Sequence, residues 1–308
     1  MLHFQYRDKA SPIHRLSPFC TLAWVTTISV LALIYDHPFY LAVFFLTTLP
    51  VVFAAGVRRE WSAMMRYTLS LCFLLAAFNV LFNQQGAHVL WQAPFIIPVI
   101  GTPGLTLEAL IFSAAMSLRL LAIISAFVVL TLTIHPDGLM PVLTRLKFPY
   151  RVVLVASLSL RFIPTLLDDL SRLTDVQRSR GVNMDRGNLI QRIRNRSAVI
   201  LPLLSNSLER AVQLAEAMEA RAFGSGAKRS YFRAVRTDNF DRLMLLPVLA
   251  ALFLGVSARL TGAGSFQYFP SVGNFDIGIF NVAVAALLVF LLSAVVPLSV
   301  LKMGRKLD

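Results

Sequence analysis

The chain has 308 residues, a hydrophobic fraction of 56%, 23 Phe and a formal net charge of +13. That apolar content excludes the pair of soluble domains its length would otherwise suggest and points to lipid as the solvent. Its two cysteines, Cys20 and Cys72, both lie in apolar runs, which argues against a disulfide or metal site and for small buried hydrophobes.

The opening MLHFQYRDKASPIHRLS is polar for too long to be a signal peptide. Crossing ~30 Å of hydrocarbon takes about 20 apolar residues. Runs of that kind fall at Phe19–Tyr35, Phe39–Gly56, Tyr67–Asn83, Leu107–Ile134, Leu243–Leu260 and Ile277–Leu301. Pro50 inside the second is tolerable where neighbouring helices satisfy the freed carbonyl. The fourth is long and contains Arg119, so it is expected to tilt or to extend beyond the bilayer. The loop Gln84–Thr106, rich in Pro, Gly and aliphatics, reads as a lip or partial re-entrant turn.

Charge then orients the spans. One side receives Arg7, Lys9 and Arg15, then Arg58, Arg59 and Arg66, then all of His135–Arg242, and finally Lys302, Arg305 and Lys306. The loops Asn83–Thr106 and Thr261–Asp276 on the other side contain no Lys or Arg. Only Arg119 and Arg259 stand apart. Both termini and the long basic segment are therefore expected in the cytoplasm. The predicted organisation is N-terminal transmembrane helices over 1–134, a cytoplasmic region over 135–242 and C-terminal transmembrane helices over 243–308. The fold class is an all-α integral membrane protein with about six transmembrane helices.

Within the basic segment, His135-Pro-Asp-Gly138 has turn chemistry, and Leu139–Phe148 is a short amphipathic stretch. Tyr150–Leu167 is apolar but interrupted by Arg151 and Arg161, which suits an interfacial run and is too charged for a clean span. A polar helix follows from Pro164, with Leu166, Leu170, Leu173 and Val176/Gln177 at helical spacing and Gly181 as a C-terminal stop. A second helix after Gly187 carries Leu189, Ile193, Ile200, Leu204, Leu208, Val212, Ala215 and Met218 on one face, with a kink expected at Pro202. The pair is expected to pack on each other and on the membrane surface.

Each of these helices closes on an arginine flanked by small residues: Ser179-Arg180-Gly181 and Ala220-Arg221-Ala222. Small neighbours let a helix tip enter a partner's groove, and a guanidinium reaches an acidic group there with forked hydrogen bonds. Read from the residues alone, Arg180 and Arg221 are more simply C-terminal cations that complement the helix dipole. Arg192, Arg194 and Arg196 form a basic patch suited to solvent or lipid headgroups.

Catalytic chemistry is missing. Gly224–Ser230 lacks the spacing of a phosphate loop and follows a helix instead of a strand. The five histidines are scattered, without metal-ligand spacing. Asp168 and Asp169 are adjacent, so they point to different helix faces and make a poor acid/base pair. A basic face without a stacking platform is weak support for nucleic acid.

An ordered series of short motifs resembles one family, the transmembrane T components of energy-coupling factor (ECF) transporters, EcfT/CbiQ. Ser11-Pro-Ile-His-Arg-Leu-Ser-Pro18 is similar to that family's entry to its first span, and Gly104-Leu-Thr-Leu-Glu108 to its opening of a later one. Ser117-Leu-Arg119 through His135-Pro136, and Ser159-Leu-Arg161-Phe-Ile-Pro164, continue the match. Gln177–Gly181 and Ala217–Gly224 correspond to its two Ala-Arg-Gly-type motifs. Ala222 stands where the family has Gly, which bears on the tightest backbone approach at that motif. Ser17-Pro-Phe-Cys20 replaces the family's D-P-R-T-K, so a charge pair there is absent.

The resemblance implies that the 135–242 region holds coupling helices. Ser179, Arg180, Gly181, Ala220, Arg221 and Ala222 would dock on two cytoplasmic ABC ATPase subunits, a homo- or heterodimer. It implies a membrane-embedded S component that binds the substrate, a vitamin or transition-metal ion. No cofactor is expected in this chain, because ATP and Mg belong to the partner subunits. The chain is thus expected to be a non-enzymatic coupling subunit in the cell membrane. The alternatives are the permease of a conventional ABC importer or a secondary carrier, either of which needs its own polar path. An integral membrane enzyme would need clustered catalytic groups.

Overall fold

The computed structural model describes residues 11–14, 16–82, 86–92, 104–182, 188–226, 239–270, 273 and 278–304. The terminal charges Arg7, Lys9, Arg15, Arg305 and Lys306, and the Pro-rich centre of the 84–106 loop, lie outside the described residues. In chain order the elements are α1 (Pro18–Ile34), α2 (Pro38–Ala55), α3 (Arg58–Phe82), β1 (Val89–Gln92), β2 (Gly104–Thr106), α4 (Leu107–Thr133) and α5 (Pro136–Arg145). Then follow α6 (Tyr150–Ser179), α7 (Leu189–Ala220), α8 (Asn239–Leu260), α9 (Ile279–Ser293) and α10 (Val295–Gly304). These helices fall into two compact units, one of Met1–Leu139 with Val235–Asp308 and one of Met140–Ala234.

Among the described residues, α2, α3, α4, α6, α8 and the α9–α10 stretch are long and apolar enough to cross a membrane. α1 is apolar but only 17 residues long, about 26 Å at ~1.5 Å per residue. Three expectations change. α3 begins at Arg58 instead of Tyr67, because Gly56, in the left-handed region at φ 67°, turns the chain directly from α2 into it. α6 is one helix of 30 residues across Pro164, and its length and composition qualify it as a span despite Arg151 and Arg161. A proline removes one backbone bond, and the rest of this long helix holds without it. The last span divides at Ala294, because Pro297 cannot donate to the Ser293 carbonyl and its ring crowds that oxygen.

The small strands β1 and β2 pair antiparallel, Val89 opposite Thr106 and Gln92 opposite Gly104. They bring His88 to Glu108, which is fully buried at the start of α4. Glu108 Oε1 accepts from the His88 amide at 3.1 Å and lies 2.8 Å from its Nδ1. Thr106 caps α4 by accepting from the Ala109 amide at 3.3 Å.

The first unit is built around α1, α2, α4 and α8. Trp24, Ile28, Leu31, Tyr35, Tyr40, Phe44, Met244, Leu288 and Leu292 are buried at its centre. Small residues allow close backbone approach, as membrane helices require where apolar burial gives little drive. Ala115, Ala122 and Ala126 recur along the buried side of α4, and a Cβ on Gly255 of α8 would strike Leu31 at 2.4 Å. Two indoles are matched across helices: Trp24 Nε1 donates to the Leu292 carbonyl at 3.1 Å and Trp61 Nε1 to Ser125 Oγ at 2.9 Å. Thr48 Oγ1 joins the same Ser125 hydroxyl at 2.7 Å.

The two arginines that break the charge rule meet at one carboxylate. Asp36, in the short link between α1 and α2, accepts from Arg119 at 3.0 Å on Oδ1 and from Arg259 at 2.7 Å on Oδ2. Arg119 also donates to the Tyr35 carbonyl at 2.7 Å. Tyr268 donates its hydroxyl to the Asp36 carbonyl, and burial pushes that hydroxyl up to about 12, with Arg119 lowering and Asp36 raising it. It therefore remains a donor at any physiological pH. The Asp36 and His37 amides both donate to the Gly264 carbonyl, at 3.3 and 3.1 Å.

Removing the charge of Asp36 strands two half-buried guanidiniums. A fully buried pair costs ~3–5 kcal/mol to break; with Asp36 38% exposed, Asp36→Asn is expected to cost about 2 kcal/mol. Adding Arg259→Gln should cost less than the two single losses together, read by unfolding in detergent micelles as a double-mutant cycle.

Candidate functional site: two capped helix tips

In the second unit α6 and α7 form an antiparallel hairpin. Its contacts run in opposite chain order. Tyr150 lies against Phe223 with ring centroids 6.0 Å apart, Asp169 Oδ2 accepts from Arg210 at 2.8 Å, and Gln177 Nε2 donates to the Ala198 carbonyl at 3.2 Å. Leu166, Leu173 and Gln177 are half-buried on α6, whereas Leu170 and Val176 of the same predicted stripe are exposed. Asp169, set aside as an acid/base candidate, serves here as an ion-pair partner.

The α7 stripe behaves differently. Ile193, Ile200, Leu204, Leu208 and Val212 are exposed, Ile193 at 70%. The contact with α6 instead uses the neighbouring face, with Ala198, Val199, Leu203 and Arg210. The expectation that this stripe packs the helices together is thus corrected: Arg210 takes the inner face because Asp169 is there to neutralise it. Val152, Val155, Ile163 and Leu167 of α6 are exposed too. The hairpin therefore presents an extensive apolar surface of the kind that marks a lipid or protein contact.

Because the hairpin is antiparallel, the two arginine motifs stand at its opposite ends, roughly 40 Å apart at ~1.5 Å per residue. Each end closes in the same way. At the first, the Gly181 amide donates to the Arg178 carbonyl at 2.9 Å and the Val182 amide to the Gln177 carbonyl at 3.0 Å. At the second, the Ala222 amide donates to the Glu219 carbonyl at 2.8 Å and the Phe223 amide to the Met218 carbonyl at 3.0 Å. Both are Schellman caps, with the residue after the arginine in the left-handed region: Gly181 at φ 83° and Ala222 at φ 52°.

Arg180 and Arg221 thus occupy the same cap position. The cap satisfies the last carbonyls with backbone amides, so neither guanidinium is needed for that task. Both residues are exposed, and neither side chain has a partner among the described residues. Ser179, beside Arg180, donates its hydroxyl to the Asp175 carbonyl at 3.0 Å. The equivalence of the caps is only half legible in sequence: Gly181 signals one, whereas Ala222 gives no sign of its left-handed backbone. Sequence reasoning misses Asp36 altogether, although it is the acidic residue that accounts for Arg119.

The architecture defines an all-helical integral membrane protein with a helical hairpin that ends in two like tips. Residues 9–231, which include both tips, match the profile of the CbiQ family, described as cobalt transport protein, and the chain belongs to that family. It is similar to the energy-coupling factor transporter transmembrane protein EcfT of Streptococcus thermophilus, 34% identical over 77% of this chain and 90% of the relative. The proteins of the same description from Streptococcus equi subsp. equi and Lactococcus lactis subsp. cremoris are 32% and 30% identical, over 81% and 82% of this chain and 94% and 96% of theirs.

The Asp169–Arg210 pair sets the hairpin's register at mid-length. Arg210→Gln is expected to destabilise the hairpin by about 1 kcal/mol, the scale of a partly exposed pair. Faster amide hydrogen exchange across the middle of α6, with the α1–α4 bundle unchanged, is the readout.

Proposed function

We propose that this chain is the transmembrane T component of an ECF-type importer and that Arg180 and Arg221 couple it to two cytoplasmic ATPase subunits. The observation that carries the proposal is the matched pair of capped, exposed arginine tips at opposite ends of one hairpin, in a chain of the CbiQ family. An antiparallel helix pair is its own approximate two-fold, so it offers equivalent tips to two subunits that are themselves related by a two-fold. Ser179, Gly181, Ala220 and Ala222 keep the flanks small, so each guanidinium can reach acidic groups in a groove. Movement of the ATPase subunits toward and away from one another then displaces the hairpin as a lever.

The exposed apolar faces of α6 and α7 suit a membrane-embedded S component that carries the cargo, a vitamin or transition-metal ion. ATP and Mg belong to the ATPase subunits, and this chain contributes no catalytic group. The plasma membrane is its location, and the charge asymmetry of the loops favours cytoplasmic termini and a cytoplasmic hairpin. A permease with its own polar path has little support, since Arg119, the charge it would use, is bound to Asp36.

Charge reversal at both tips, Arg180→Glu with Arg221→Glu, should leave the protein inserted and abolish co-purification of ATPase subunits. Retention of the full complex would overturn the docking role. The purified chain alone should release no phosphate from ATP; turnover in a preparation free of partner subunits would reopen the enzymatic reading.

A further inference from the structure

The two tips share a hydrogen-bond pattern but not a residue. Gly181 and Ala222 hold the same cap position at φ 83° and 52°. In that region a Cβ crowds the neighbouring carbonyl, a penalty glycine escapes. Apart from its two chain neighbours, no atom among the described residues lies within 4 Å of a Cβ built on Gly181. At Gly181, among the described residues, backbone conformation is what separates glycine from alanine. The caps therefore agree in hydrogen-bond geometry and differ in backbone strain.

We infer that Ala222 is a positioning residue that makes the second tip the weaker, more readily released of two unequal grips. The inference rests on the docking role of Arg180 and Arg221. A tip binds only while its left-handed turn is closed, and apparent affinity scales with that closed fraction. Alanine in this conformation shifts the cap toward its open form by about fivefold relative to glycine. Phe223, next in the chain, lies against Tyr150 with ring centroids 6.0 Å apart and keeps the strained turn from unwinding into the rest of α7. The first tip has no such strain and serves as the anchor. Unequal grips give the lever a preferred order of release, which two identical tips could not supply.

Reciprocal exchange of the two cap residues tests this in the full-length chain, with the ATPase subunits that co-purify with it. Ala222→Gly is expected to slow amide exchange at positions 222 and 223 by about fivefold and to slow dissociation of the ATPase subunits by about two- to fivefold. Gly181→Ala should do the opposite at 181 and 182 and hasten dissociation. Unchanged exchange at either cap overturns the inference, because the strain would then have no consequence. Slower exchange at 222 and 223 with unchanged dissociation overturns it as well, while the docking role stands if Arg180→Glu with Arg221→Glu still abolishes capture. Full capture by that charge-reversed pair overturns the docking role itself, and this assignment of Ala222 with it.

Discussion

The carboxylate of Asp36, held between Arg119 and Arg259, is the contact on which the membrane bundle depends. It joins the α1–α2 link to α4 and α8 through two half-buried guanidiniums. A charge deep in a span invites a functional explanation, yet here the three groups and the Tyr268 hydroxyl answer one another within the bundle. With that cluster closed, Trp24, Tyr35 and Tyr40 can each spend their polar atom on a carbonyl of another helix. Small residues at Ala115, Ala122, Ala126 and Gly255 then bring the backbones close enough for those bonds to form.

The hairpin follows a different logic. Its helices meet through few groups, one of them the Asp169–Arg210 pair, and leave a broad apolar surface uncovered. That economy suits the lever role proposed for it. A lever held by a large apolar core of its own would resist displacement, whereas a thin contact plus rigid helices transmits it. At the tips, Schellman caps seal the last carbonyls with backbone amides and leave the arginine side chains exposed.

Much of this is legible in the amino-acid sequence. Apolar runs mark most spans within a few residues, since length and hydropathy are local properties that lipid enforces directly. Gly181 announces its turn because glycine is the residue that enters the left-handed region without penalty. The ordered motifs from Ser11 to Gly224 indicate the family to which the chain belongs. Less legible are features that depend on context. Pro164 looks like a boundary and is helix interior, whereas Pro297, inside an apparently continuous run, marks a break at Ala294. A proline's effect depends on whether the surrounding helix can absorb one missing bond, and the residue alone does not say.

By itself, then, the chain's composition and periodicity determined an all-helical membrane protein, most of its spans, its charge asymmetry and the two arginine motifs. Each of these follows from residues near one another in sequence. Tertiary structure decided which face of α7 turns inward, that Asp36 serves two arginines more than eighty residues away, and that the motifs stand at opposite ends of one hairpin. It also decided that Ala222 adopts a glycine's backbone. Such outcomes rest on long-range pairing, where the energy of a distant contact overrides what a residue prefers in isolation.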